Sequence, residues 1–219
     1  PEEERVLGTV EAALKSLTTT RRLFDWNVAA GLVDLREQDP AKARDKAVPN
    51  IEDGDPMAII SLAPTRLLQR AAAIKDPAVF LLRDFHRYWD TTYAPGAVIV
   101  RMLRDLGPLL RERLQTVLLV SPVFPTLPTE LEKDVEILDF GLPSREELGA
   151  VLQETADRFS RNEDLDTALP DDKREALLRA SLGMTETESE QAYILSLAHA
   201  RSLDPDVVAS QKEQVIKKI

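Results

Sequence analysis

The 219-residue chain is 43% hydrophobic and 30% charged, carries a formal net charge of −10 and contains no cysteine. This composition suits a globular chain with room for one large domain or two small ones, and it excludes disulfide frameworks and thiolate metal sites. Acidity without a basic tract argues against nucleic acid as a partner, no apolar run is long enough to span a membrane, and the expected location is cytoplasmic.

The chain opens on Pro1-Glu2-Glu3-Glu4, the opposite of a basic secretory start. Val6, Val10, Ala13, Leu14 and Leu17 recur at helical spacing and predict a helix over 2–18, with its acidic first turn at the positive end of the helix dipole. Leu23 to Val28 alternates apolar and polar, as a strand does. Residues 36–54 are polar, hold Pro40, Pro49 and Gly54, and read as a loop. A helix is expected over 56–74, interrupted at Pro64. Ala78 to Leu82 is wholly apolar, the pattern of a strand covered on both faces of a parallel sheet. A helix over 95–114 follows, with a break or kink at Gly107-Pro108, then a second buried strand, Thr116 to Val120, ended by Ser121-Pro122. A short helical turn at 128–132 leads to a third candidate strand, Val135 to Phe140. Strands alternating with helices predict an α/β fold with a parallel sheet.

After Pro143 no strand pattern recurs. Ser144-Arg145-Glu146-Glu147 is a capping box opening a helix to about 160, and helices over 170–182, 185–201 and 205–218 follow. Pro170, Thr185 and Pro205 mark their starts, and Gly183 marks a stop. The expected division is an α/β domain over 1–142 and an all-α domain over 143–219. A start at the head of one helix and an end inside another lead us to expect a piece of a longer polypeptide.

The residues with chemical potential cluster after the first apolar run, at Arg83-Asp84-Phe85-His86. In ATPases that grip nucleotide with a P-loop, such a strand ends in two acids: one holds magnesium and the other polarises the attacking water. Here one carboxylate remains, and a guanidinium, which neither ligates a cation nor accepts a proton, replaces the other. The plainer reading is that Asp84 caps a turn beside an exposed Arg83 and a hydrogen-bonded His86. A phosphate loop needs Gly-x4-Gly-Lys-Ser/Thr, because glycines let backbone amides reach the phosphates and Lys neutralises them. No Gly-Lys pair occurs in these 219 residues; Gly8 with Lys15-Ser16 has the wrong spacing and falls mid-helix. Ser121 stands where a polar residue senses the γ-phosphate, or simply ends a strand. Arg101 and Arg104 are candidates for arginines acting across a subunit boundary, or for a salt-bridged helix face. His199, beside Leu195 and Ala198, reads as structural. No catalytic set and no metal site stands out.

Glu2 to Leu7, Trp26-Asn27-Val28, Val79 to His86, Val100 to Leu106, Thr116 to Pro122, Leu127 to Leu131 and Leu138 to Pro143 appear in an order that resembles one family. These are the AAA+ ATPases first noted as a conserved chloroplast and cyanobacterial reading frame, also widespread in bacteria. The resemblance implies two AAA-like halves, a degenerate N-terminal one and a C-terminal one with working Walker motifs. It implies a RecA-like, P-loop NTPase-type core over 1–142, its first strand lying upstream, and a helical AAA+ lid over 143–219. On this reading the chain itself takes no cofactor, ATP and magnesium belonging to the parent protein. Its partners are the C-terminal AAA+ domain of the same protein and further copies of itself. Three alternatives stay open: an active ATPase whose phosphate loop precedes Pro1, a clamp-loader-like subunit serving DNA, and an unrelated doubly wound domain.

Overall fold

The apolar runs Ala78–Leu82 and Val117–Val120 lie side by side in one sheet. The computed structural model describes residues 2–50, 53–89, 95–123 and 126–217. Its elements are α1 (Glu2–Ser16), β1 (Arg22–Asn27), β2 (Gly31–Asp34), α2 (Pro40–Ala43), β3 (Arg44–Asp45), α3 (Pro56–Ala73), β4 (Ala78–Arg83), α4 (Gly96–Glu112), β5 (Thr116–Val120), α5 (Arg145–Phe159), α6 (Asp171–Ser181), α7 (Glu186–Ala200) and α8 (Pro205–Ile216). One compact unit comprises residues 11–138; the other joins residues 1–10 to 139–219.

In the first unit the strand order is β3-β2-β1-β4-β5. Strands β1, β4 and β5 run parallel, and β2 and β3 extend the sheet antiparallel. The parallel core is as the sequence predicts, and the antiparallel extension places β3 inside the expected 36–54 loop. The extension is made by a tight return after β1: the Asn27 side chain accepts hydrogen bonds from the amides of Ala29 and Ala30 at 3.0 and 2.8 Å. Gly31 then takes a φ of 77°, and a Cβ there would stand 3.3 Å from Asn50 and from the Val48 carbonyl. Only glycine satisfies both conditions.

Every residue of β4 before Arg83 is buried, as a central parallel strand requires. Phe80 stacks on Phe24 of β1 with ring centroids 5.1 Å apart, and Trp26 meets Phe85 and Tyr88 edge-on at 5.6 and 5.9 Å. Helix α3 delivers Ala63, Leu67, Leu68 and Ala71 to this core, and α4 delivers Ile99, Val100 and Leu106. α3 runs unbroken through Pro64, correcting the expected interruption there, and α4 is not broken at Pro108. Burial of these apolar faces outweighs the single ladder bond each proline removes.

The third predicted strand is absent. Residues 135–140 form neither strand nor helix, and Ile137, Leu138 and Phe140 are exposed. The alternating pattern is present, but β5 ends the sheet and pairs only with β4 among the described residues. Residues 128–135 form hydrogen-bonded turns in place of the predicted helical turn.

The second unit is helical. Leu148 and Leu152 of α5, Leu177 of α6, Tyr193 and Leu197 of α7 and Val208 of α8 fill its core. Two capping boxes set helix starts: Ser144 with Glu147 for α5 and Thr185 with Glu188 for α7. Asp204 caps α8 ahead of Pro205 at its first position.

Candidate functional site

Parallel strands leave their C-terminal ends as the natural place for a site, and this end of β4 and β5 holds most of the residues singled out by sequence. Arg83 closes β4 opposite Val120 of β5. Its guanidinium faces the other neighbour, β1, and donates from Nε and Nη2 to the two carboxylate oxygens of Asp25, both at 2.9 Å. The side chains are 13% and 15% exposed. This is a bidentate, largely buried ion pair, the geometry in which a guanidinium is held most firmly. Arg83 is therefore not the exposed residue of the plainer sequence reading.

Asp84 comes next in a left-handed conformation, φ 54° and ψ 19°, and its side chain makes no capping hydrogen bond. Its amide still donates to the Val120 carbonyl at 2.9 Å and its carbonyl accepts from the Arg87 amide at 3.2 Å, so the ladder carries one residue past the strand before the chain turns. The turn, Phe85–Tyr88, is anchored by the burial of Phe85 and Tyr88 against Trp26. This throws the Asp84 side chain outward, where it is exposed. His86 is partly exposed, with a buried Nδ1 that has no hydrogen-bond partner among the described residues.

Ser121 follows β5 at the same end of the sheet. Its hydroxyl donates to the Val123 carbonyl at 2.7 Å and accepts from the Val123 amide at 3.3 Å, a self-contained turn. Arg83, Asp84, His86 and Ser121 thus share one sheet end. Arg101 and Arg104 do not join them: Arg101 pairs with Asp105 one turn along α4, and Arg104 lies 3.8 Å from Asp134. His199 is exposed on α7. Among the described residues no group of three His, Cys, Asp or Glu is arranged to hold a metal, and no helix is long and apolar enough to cross a membrane.

The head of α1, where a phosphate loop would deliver its anion, carries Glu2, Glu3 and Glu4. Glu2 accepts from Arg5 Nε at 3.1 Å and from the backbone amide of Glu186, at the start of α7, at 3.3 Å. Sequence reasoning missed two residues of this picture. Asp25 carries a faint signal, one acid at a polar position of an alternating strand, but its partner lies 58 residues away. Arg5 carries none.

Family comparison matches residues 1–140 to the SpoVK-like AAA ATPase N-terminal domain and residues 146–219 to the SpoVK-like AAA ATPase second domain. No curated protein matches the chain. Similar solved structures include PCH-2 of C. elegans, at 16% identity and a TM-score of 0.46, covering 75% of this chain and 48% of that one. Another is a singly substituted form of Thermotoga maritima RuvB, at 14% identity and a TM-score of 0.42, covering 68% of this chain and 48% of that one. The chain spans about half the length of these solved chains.

Proposed function

The chain belongs to the SpoVK-like AAA ATPases, and from that premise we propose that it is a degenerate AAA+ module, one that assembles or regulates a larger ATPase without turning over nucleotide itself. The observation that carries this reading is the Arg83–Asp25 pair. A working site needs two acids at the end of this strand, one for magnesium and one for the attacking water, and only Asp84 remains. Here a guanidinium holds one of the two acidic positions and is tied by two hydrogen bonds to a neighbouring strand. Releasing it would leave Asp25 as an unpaired, largely buried charge. The sequence adds a second support, since no Gly-Lys pair exists in the 219 residues to cradle phosphates.

On this reading Asp84 is a vestige that ends the strand, Ser121 closes a turn, and Arg101 and Arg104 order a helix surface. The chain needs no cofactor. ATP and magnesium serve another AAA+ domain of the same protein, which is also the module's first partner, within a cytoplasmic homo-oligomer. The narrower likeness to the chloroplast and cyanobacterial group belongs to the same proposal.

Calorimetric titration of the chain with ATP and magnesium tests it. Binding no tighter than millimolar is expected; micromolar binding, lost in Asp84→Ala, would overturn the reading and favour an active ATPase with an unusual phosphate grip. A DNA-serving role predicts binding that weakens steeply with salt, which the net charge of −10 opposes.

A further inference from the structure

Arg5 has an unusual setting for a residue on the first turn of a surface helix: its side chain is only 8% exposed. Five groups surround the guanidinium. Glu2 lies at 3.1 Å, the Glu147 carboxylate at 3.7 Å, and the Gly141 carbonyl accepts from Nη2. The Phe140 ring sits face-on with its centroid 4.2 Å away, and Glu186 feels the positive charge from α7. Two of these contacts reach helix starts in the helical unit. Glu147 closes the α5 capping box through the Ser144 amide at 2.7 Å, and Glu2 accepts from the first amide of α7. The head of α1 therefore meets the starts of two other helices: Glu2 accepts a free amide at the positive end of α7, and Arg5 pairs with the Glu147 carboxylate of the α5 cap.

The rest of α1 is held weakly. Leu14 is its one buried residue among those described. Gly8 follows directly after the gripped turns, and a Cβ placed there would meet nothing within 4 Å. No close approach demands glycine at this position, so its effect is to loosen the helix. Thr9 adds to this by turning its hydroxyl back onto the Arg5 carbonyl at 2.9 Å, a bond that bends helices. A charged, multi-contact clasp is thus followed at once by a flexible point.

We propose that residues 2–7 form a strap that closes on the helical unit and releases from it, with Arg5 as its clasp and Gly8 as its hinge. The proposal is independent of whether the module binds nucleotide. Closed, the strap keeps the head of α1 occupied; open, it frees the Phe140 ring, the Gly141 carbonyl and the start of α7 together.

Hydrogen exchange on the full chain, read by mass spectrometry, tests this with two variants of opposite expected sign. Arg5→Met should speed exchange of the Val6 to Val10 amides and of the Glu186 amide by at least about tenfold, with β4 and β5 unchanged. Gly8→Ala should slow the Val6 to Val10 amides by about fivefold. The strap is overturned if Arg5→Met leaves these amides unchanged or loosens the sheet equally. It is also overturned if Gly8→Ala leaves exchange unaltered or speeds it. The ATP titration described above is blind to both variants, so the two ideas fail separately.

Discussion

Phe24, Trp26, Phe80 and Phe85 pack the sheet unit with stacked and edge-on rings, whereas the helical unit has a mainly aliphatic core around Tyr193 and helix starts set by Ser144, Thr185, Asp204 and the carboxylates beside them. The difference shows in how each treats an arginine. The sheet ties Arg83 to Asp25 through a bidentate pair. The helical unit surrounds Arg5 with several partial partners. A rigid interior fixes a charge through a firm bidentate pair, and a set of helix ends fixes it by offering several weak contacts. Perturbation in the first should be costly and all-or-none; in the second it should be graded.

Asp25→Ala gives the sharpest separation. It removes the bidentate acceptor of Arg83 from a site 13% exposed, and should lower the urea unfolding free energy by about 3 kcal/mol. Asp25→Leu combined with Arg83→Met should return to within about 1 kcal/mol of the parent, because both charges are then gone. A cost below about 1 kcal/mol for the single change would mean the pair is solvated and the comparison is wrong. Thr185→Ala, in the helical unit, removes one cap and should cost about 1 kcal/mol, read as a shift in the same urea curve. Asp84→Gly runs the other way: relief of the left-handed conformation at φ 54°, offset by the freer unfolded chain, should stabilise by about 0.5 kcal/mol.

The smallest effect is in pH, and it belongs to the helical unit. Burial raises the Glu186 carboxyl above its usual 4.5, against the Arg5 charge and with help from Glu2 and Glu147. Its contribution is full below 4.5 and is lost as pH rises through the raised value. Glu147 is lowered from 4.5 by its bond from the Ser144 amide, and Asp166 from 3.8 by Lys173. Their contributions are present above those values and are lost as pH falls through the lowered ones. Helical-unit stability followed by circular dichroism should therefore rise slightly as pH drops toward 4.5 and fall below it. Glu186→Gln should abolish the rise and keep the fall.

Much of this architecture is written in short-range pattern. The apolar run at Val79 is a strand because only the interior of a sheet accepts so many apolar side chains on both faces, and Ser144 with Glu147 announces α5; the run at Val117, expected to be buried, is an edge strand and only half-buried. The reading fails where a distant neighbour decides. Residues 135–140 alternate correctly for a strand, yet alternation tells which face could be covered and not whether a partner strand is there. Gly31-Leu32-Val33-Asp34 is too short, in too polar a stretch, to reveal a hairpin. Pro64 breaks helices in isolation but not under the weight of a packed apolar face. The sheet-end residues were legible by type and spacing. Their electrostatic partner was not, because Asp25 meets Arg83 only through strand register.

The two borders of the sheet differ in a way that bears on handling the protein. One border, β3, is two residues long and charged, Arg44–Asp45, which discourages adhesion. The other, β5, reads Thr-Val-Leu-Leu-Val, half-buried along its whole length, with no charge or proline to repel a stranger. Such a border is a template for unwanted strand addition. In a storage buffer this surface, and not the exposed acids, should set the working concentration of the chain. Val117 and Leu119 pack against the sheet core, so the residue to change is Leu118 between them. A single Leu118→Lys change should raise the concentration at which light scattering first appears.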